Sequence, residues 1–279
     1  MTFPHCFVDV LNLAVKAGRL ILDVYEHQKT EVTLKADDSP LTQADILSHQ
    51  FLLKELELLG KPVISEEGDD HLWEKRLLWS EYWLIDPLDG TKEFVKRNGE
   101  FTVNIALIKD QQPIWGVIYA PALKTLYGGV VGEGAWIWQT PQSYSESEDW
   151  YAIQAQSLPL VRQNKLLTVV GSKSHLSGAT LSFMEKLRRV NPNHKLIQAG
   201  SSLKFCRIAT GEADIYPRMD AIMEWDIAAG QAIVRAAGGT MIRWPEQTVP
   251  QYTSRDMRSP KFLAIAPGRD VDGILETLK

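Results

Sequence analysis

The stretch Asp86-Pro87-Leu88-Asp89-Gly90-Thr91 sets two carboxylates three residues apart, separated by a proline and followed by a glycine. An apolar run from Tyr82 to Ile85 precedes it and reads as a strand ending at Asp86. Pro87 stiffens the exit and Gly90 permits a tight turn, so both carboxylates and the Leu88 carbonyl can converge on one point. An oxygen-only donor set of this kind suits Mg²⁺ rather than zinc. An Asp-Pro turn followed by ordinary Asp-Gly turn chemistry accounts for the same residues equally well. In a chain with 35 Asp and Glu the spacing alone decides nothing, so the setting at a strand end carries the signal.

Three other acidic sites could join it. Glu66-Glu67 follow a short apolar strand, Pro62 to Ser65, and could lie beside Asp86 on one sheet edge; a solvated acidic loop is the rival explanation. Asp226 follows Trp225 and precedes the helical run IAAGQAIVRAAGG, where it could equally be a helix N-cap. Asp45 stands three residues after Thr42 in the arrangement of a capping box. Taken singly, each is better explained as structure. Other chemistries lose support: the chain has no GxxxxGK[ST] phosphate loop, no HExxH, no GxSxG elbow and no GxGxxG opening a helix.

The elements that must position these groups fall into two patterns. Residues 7–27 carry Val8, Leu11, Val15, Leu22 and Tyr25 at helical spacing, and a second helix is expected from Thr42 to Leu59, closed by Gly60. Phe101–Lys109, Pro113–Tyr119 and Thr125–Val131 are rich in Val, Ile and Tyr and read as an antiparallel meander. The polar stretch 140–149, TPQSYSESED, is the most loop-like part of the chain. Beyond it, strands at 166–170, 195–198, 213–216, 240–243 and 262–266 are interleaved with helices at 180–190, 201–210 and 227–237, an α/β pattern. The expected division is an N-terminal α+β part, residues 1–155, and a C-terminal α/β part, residues 156–279.

A length of 279 residues suits two domains or one large one. The net charge of −5 is wrong for a protein whose main partner is nucleic acid, although a pocket for a small anion needs only a few local cations. Cys6 and Cys206 cannot build a disulfide framework, no signal peptide is legible, and no apolar run approaches the length of a membrane span. These features imply a cytoplasmic protein. Peripheral attachment to the cytoplasmic face of the inner membrane and a homo-oligomeric state are both compatible with them.

Together, SEE at 65–67, DPLDGTKEF at 86–94 and WDIAAG at 225–230 resemble, in order and spacing, the signature of the inositol monophosphatase superfamily of Mg²⁺-dependent, lithium-sensitive phosphatases. Three further stretches, KADDSPLTQAD at 35–45, KEFVKRNGEFTVNIALI at 92–108 and GSSLKFC at 200–206, are similar to its bacterial CysQ branch, the 3′(2′),5′-bisphosphate nucleotidases. Inositol phosphatases typically carry T-N-F where this chain has Lys92-Glu93-Phe94.

The resemblance implies a layered αβαβα sandwich with the metals at the junction of its two parts. It makes Glu66, Asp86, Asp89, Asp226 and the Leu88 carbonyl ligands for two or three Mg²⁺ ions, Glu66 being taken over its neighbour Glu67. Thr91 and Asp45 become the pair that orients and deprotonates the attacking water, and Gly90 and Thr91 offer backbone N–H groups to the scissile phosphate. His175, Ser201, Lys204 and Arg218 match positions that hold the nucleotide and its second phosphate; without the resemblance they read as a surface loop, a helix N-cap and two solvated cations. The implied substrate is a small nucleotide bisphosphate: adenosine 3′,5′-bisphosphate going to AMP and phosphate, or the 5′-phosphosulfate analogue losing its 3′-phosphate. An inositol or sugar phosphatase on the same metal site is one alternative, and a nucleotide-binding sensor without turnover is another.

Overall fold

The computed structural model describes residues 5–27, 32–34, 40–68, 75–140, 154–160, 166–172, 177–270 and 272–278. The first helix, α1 (His5–His27), buries Phe7, Val10, Leu11, Ala14, Ile21 and Val24 along one face, as the 3.6-residue spacing requires. A short antiparallel hairpin, β1 (Val32–Leu34) and β2 (Pro40–Thr42), leads into α2 (Gln43–Glu57). The capping box expected at Thr42 forms: the Thr42 backbone N–H and hydroxyl both donate to Asp45 Oδ2, at 2.7 and 2.5 Å.

The chain then builds a seven-stranded sheet from β3 (Val63–Ser65), β4 (Glu81–Asp89), β5 (Thr102–Lys109), β6 (Gln112–Ala120), β7 (Thr125–Val130), β8 (Gly134–Gln139) and β9 (Gln156–Leu158), in that spatial order. Only β3 and β4 run parallel; the rest form the expected meander, extended by two strands, β8 and β9, that the sequence pattern did not declare. The strand carrying the acidic motif does not stop at Asp86. It continues to Asp89 with a register shift against β5 between those residues, because Pro87 has no N–H for the ladder and is tolerated only at such an irregularity. The helical turn α3 (Thr91–Val95) follows Gly90, whose φ of 89° favours glycine.

The second half forms a five-stranded sheet, order β11-β10-β12-β14-β13. Its elements are β10 (Thr168–Ser172), α4 (Gly178–Val190), β11 (Lys195–Ala199), α5 (Leu203–Ala209), β12 (Ile215–Arg218), α6 (Ala228–Ala236), β13 (Thr240–Arg243), β14 (Phe262–Ile265) and α7 (Asp272–Leu278). β10 pairs parallel with β11 and β12, whereas β14 pairs antiparallel with β12 and β13. Two strands begin about two residues later than the apolar pattern indicates, at Thr168 and Ile215. The helix expected from Ser201 begins at Leu203, since Ser201 adopts a left-handed φ of 49° that cannot continue a helix. Of the polar stretch 140–149, residues 141–149 lie outside the described residues.

The core shows the layering. One face of the larger sheet (Trp83, Ile85, Val103, Ile105, Val117) packs on α1 and α2. Its other face (Leu84, Ala106, Ile108, Ile118) packs on α5 and α6, which in turn cover the smaller sheet through Tyr216, Met241 and Ala264. The far face of that sheet (Val169, Ile215, Leu263) meets α4 and α7. The order is therefore αβαβα, as the motifs implied. The larger sheet takes in β9, a few residues past 155, and α6 lies directly on it, so the two halves share one inner layer.

That inner layer is made by glycines. Gly116 and Gly129 are paired across β6 and β7, and an added Cβ would fall 2.2 Å from the Ala229 carbonyl and 2.8 Å from Ile233 Cα of α6. Gly230 of the WDIAAG motif faces α5 on the other side, its missing Cβ 2.3 Å from the Phe205 ring. α6 is thereby seated in a slot with little tolerance along its length. Among the described residues no helix is long and apolar enough to cross a membrane.

Candidate active site

The ends of β3 and β4 converge with the turn that leads into α6. Glu66 extends β3, its N–H donating to the Ile85 carbonyl at 3.2 Å. Asp86 lies on the neighbouring β4, fully buried. Asp226 closes a 3₁₀ turn, Glu224–Asp226, and its Oδ2 accepts from the Met223 N–H at 3.1 Å. One carboxylate oxygen from each of Glu66, Asp86 and Asp226 lies within 4.8 Å of the others.

That gathering is electrostatically unfavourable by itself. Burial pushes the Asp86 carboxyl well above the usual range, and the charges of Glu66, Asp89 and Asp226 push it further. Asp226 is raised for the same reason: burial first, then Asp89 and Glu66. Asp86 Oδ1 accepts from the Leu88 N–H at 3.1 Å, while its buried Oδ2 has no hydrogen-bond partner among the described residues. A buried acceptor without a donor inside a cluster of carboxylates is what a divalent cation resolves, and an all-oxygen set fits a hard cation such as Mg²⁺.

Asp89 serves a different partner set. Its Oδ2 accepts from the Ser202 N–H and the Ser201 hydroxyl, both at 2.6 Å, and from Asn104 Nδ2 at 3.4 Å. Burial raises the Asp89 carboxyl, an effect opposed first by the Lys204 charge and then by these donors. Lys204 is itself buried, which lowers its pKa, while Asp89 acts in the opposite direction. Thr102 bonds both serine hydroxyls, at 2.6 and 2.7 Å, so the end of β4 and the start of α5 form one hydrogen-bonded junction. Beside it opens a cavity of about 160 Å³ lined by Asp89, Gly90, Glu93, Ser201, Lys204, Arg218 and Asp226 among others.

On the other flank, Thr91 Oγ1 donates to Asp45 Oδ1 at 3.1 Å, with the Leu88 carbonyl at 3.4 Å. Asp45 thus caps α2 with one oxygen and holds Thr91 with the other, so the structural and the chemical explanations of this residue are both true. Burial raises its carboxyl, opposed by the Thr42 and Thr91 hydrogen bonds and assisted by the Glu67 charge. Of the two adjacent glutamates, Glu66 is the one in the carboxylate cluster, and Glu67 acts on Asp45.

The structure brings Asp45, Glu66, Asp86, Leu88, Asp89, Gly90, Thr91, Ser201, Lys204, Arg218 and Asp226 to one region. Ser201 is not the helix N-cap that sequence reasoning allowed; Ser202 holds that position, and the left-handed turn aims the Ser201 hydroxyl at Asp89. Arg218, at the end of β12, faces the cavity and donates Nε–H to the Asp220 carbonyl at 3.4 Å. His175 lies outside the described residues. Sequence reasoning missed Asn104, Thr102, Ser202 and Glu93. Asn104 is legible in retrospect, since the polar side chain interrupts an apolar strand opposite Asp86.

A fold of this layering with a carboxylate cluster at the sheet junction defines a class, and comparison bears it out. Residues 6–279 match the model of the inositol monophosphatase family, and the chain belongs to that family. Among curated relatives, the 3′(2′),5′-bisphosphate nucleotidase CysQ of Salmonella typhimurium is 44% identical over 251 residues, 89% of this chain and 94% of the relative. Its Escherichia coli K12 counterpart is 42% identical over the same shares. The crystal structure of CysQ from Bacteroides thetaiotaomicron superposes with a TM-score of 0.87 at 39% identity, covering 96% of this chain and 99% of that one. The resemblance read from the motifs is thereby confirmed for the family.

Proposed function

We propose that the chain is a 3′(2′),5′-bisphosphate nucleotidase, a Mg²⁺-dependent phosphomonoesterase that converts adenosine 3′,5′-bisphosphate to AMP and phosphate. The observation that carries this reading is the juxtaposition of two unlike sites. A cluster of Glu66, Asp86 and Asp226 suited to cations adjoins a cavity in which Lys204 and Arg218 can meet a second phosphate. The likeness to CysQ relatives over most of the chain supports the same conclusion.

Glu66, Asp86, Asp226 and the Leu88 carbonyl would hold two or three Mg²⁺ ions together with Asp89. When bound, they supply neutralisation of the phosphoryl oxygens and a more acidic water. The chain's own residues do the rest. Thr91 accepts a proton from the attacking water as its hydroxyl proton passes to Asp45 Oδ1, and the raised pKa of Asp45 suits it to receive that proton. The Gly90 and Thr91 N–H groups orient the scissile phosphate. The P–O3′ bond breaks opposite the incoming oxygen, and the released 3′-oxygen takes a proton from solvent. Lys204 and Arg218, with Ser201, bind the 5′-phosphate that is not cleaved, and we place His175 on the nucleotide. A net negative chain can take so anionic a substrate because Lys204, Arg218 and the bound metal ions would be focused in one cleft. In this reading residues 1–155 supply most metal ligands and 156–279 the phosphate-holding cations, and the reaction runs in the cytoplasm.

The test is phosphate release with Mg²⁺ from adenosine 3′,5′-bisphosphate, inositol 1-phosphate and fructose 1,6-bisphosphate in parallel, against an Asp86→Asn control. Preference for the nucleotide, lost in the variant, supports the proposal. Preference for the inositol or sugar phosphate overturns the substrate assignment and leaves the metal site standing.

A further inference from the structure

Arg76 stands in the connection between β3 and β4, midway in sequence between Glu66 and Asp86, on a 3₁₀ turn spanning Arg76–Leu78. Its side chain is fully buried, and Nη2 donates to Glu224 Oε2 at 2.6 Å and to the Ser254 carbonyl at 2.6 Å. The remaining Glu224 oxygen accepts from the Ser254 N–H at 3.3 Å, and the Glu224 N–H donates to the Met257 carbonyl at 2.6 Å. Glu224 is two residues from Asp226 and shares its 3₁₀ turn.

The same two chain segments are therefore joined twice with opposite sign. Glu66 and Asp86 on one segment face Asp226 on the other, and like charges drive them apart. The buried pair of Arg76 with Glu224 draws those segments together. A guanidinium that bonds a carboxylate and a backbone carbonyl at once fixes direction as well as distance. Packing alone would fill the space without that directional constraint.

We propose that Arg76 is a positioning residue for the metal site: through Glu224 and Ser254 it holds the turn bearing Asp226 at the distance from Glu66 and Asp86 that a divalent cation requires. This rests on the metal-site reading above. Residues that orient metal ligands from outside their coordination shell typically govern affinity by about 10–100-fold.

The experiment is isothermal titration of Mg²⁺ into the wild-type protein, into Arg76→Met/Glu224→Met and into Arg76→Lys, with thermal melts alongside. A buried ion pair replaced by apolar groups of similar volume is commonly neutral for folding. The double variant is therefore expected to melt as a cooperative unit but to bind Mg²⁺ roughly 10-fold or more weakly. At saturating Mg²⁺ its KM for adenosine 3′,5′-bisphosphate should stay near wild type, which separates a metal defect from a nucleotide defect. Arg76→Lys keeps the charge but not the fork and is expected to weaken Mg²⁺ by a smaller factor; it provides the reading should the double variant not fold. Unchanged Mg²⁺ affinity in a folded variant overturns the proposal. Absence of Mg²⁺ binding in the wild type would overturn both this inference and the metal-site reading on which it rests.

Discussion

Adding one methyl group to Gly116 should damage a catalytic centre that the residue never touches. A Cβ built there lies 2.2 Å from the Ala229 carbonyl oxygen and 2.9 Å from Ala232 Cβ, both on α6. Neither neighbour is a flexible side-chain tip, so α6 itself must lift by roughly 1 Å to restore van der Waals contact. Gly230 blocks that movement on the opposite side, because it already abuts the Phe205 ring. Overpacking of this kind costs about 1–3 kcal/mol, a fall in Tm of roughly 2–12 °C for a chain of this size. α6 starts two residues after Asp226, so the same displacement carries that carboxylate away from Glu66 and Asp86. A misplacement near 1 Å in a reacting constellation can reduce turnover by about 10²-fold. The assay is a thermal melt and phosphate release from adenosine 3′,5′-bisphosphate for Gly116→Ala. Gly178→Ala serves as the control, since its Cβ meets nothing within 4 Å. A Gly116→Ala protein with wild-type Tm and wild-type turnover would refute the argument that the glycine slot sets the position of Asp226.

Asp86→Asn should lose at least about 10²-fold in activity while the metal-free protein melts no lower than wild type, since one of the mutually repelling carboxylates is gone; a melt paired with phosphate release checks both. Excess EDTA should abolish turnover in the wild type and lower its Tm, because loss of a ligand present at 100 Kd removes about 2.7 kcal/mol; Asp86→Asn should show little of that shift. Lys204→Ala should raise KM for adenosine 3′,5′-bisphosphate by roughly 10–100-fold and leave that for adenosine 3′-monophosphate nearly unchanged, since only the former presents a 5′-phosphate; equal losses on both substrates would refute that role. Thiol titration of the native protein should find exposed Cys6 reactive and Cys206 silent, the latter being buried with its thiol pKa pushed upward, and both should react after unfolding. Glu81 accepts from Lys61 and Lys109 at 2.8 and 3.1 Å, and these hold its pKa below the ordinary value. A depressed carboxylate stabilises at pH above its unfolded value and loses that contribution as pH falls, so Glu81→Gln should cost under about 1 kcal/mol at pH 7 and progressively less below pH 4.5.

Most elements and the acidic positions of the carboxylate cluster were legible because each leaves a local mark, while the layering and the ligand roles came from the family resemblance. Runs rich in Val, Ile and Tyr marked the meander, 3.6-residue spacing marked α1, and acidic residues after apolar runs marked Asp86 and the Glu66-Glu67 pair, between which only the family resemblance chose. The junction around Asp89 was not legible in the same way. Ser201 looked like a helix N-cap, yet its left-handed φ and its bond to Asp89 depend on contacts between residues more than 100 positions apart. β9 was missed because it is three residues long, and its pairing with β8 is set by tertiary contact rather than by its own pattern. Arg76 gave no signal either. A lone arginine in a charged stretch reads as solvated surface, and only the packed fold reveals that Glu224, 148 positions away, buries it.

The Asp89 junction also bears on why a bisphosphate should be preferred over a monophosphate. Lys204 does not stand on the sheet that carries the carboxylate cluster; it belongs to α5, in the layer between the sheets. What fixes its distance from Asp86 and Asp226 is the set of bonds from Ser201 and Ser202 to Asp89, reinforced by Thr102 and Asn104 on β5. DPLDGT and GSSLK are therefore tied together through Asp89; on the proposed function the first would hold the metal cations, while the second presents the side-chain cation of Lys204. On the proposed function, a substrate with a single phosphate would satisfy one end only and leave the buried Lys204 ammonium to the carboxylates of Asp89, Glu93 and Asp226. A nucleotide with phosphates on both sides of its ribose would engage both ends at the separation that the junction sets. On that reading discrimination would come less from the reacting centre than from whether Lys204 finds its partner.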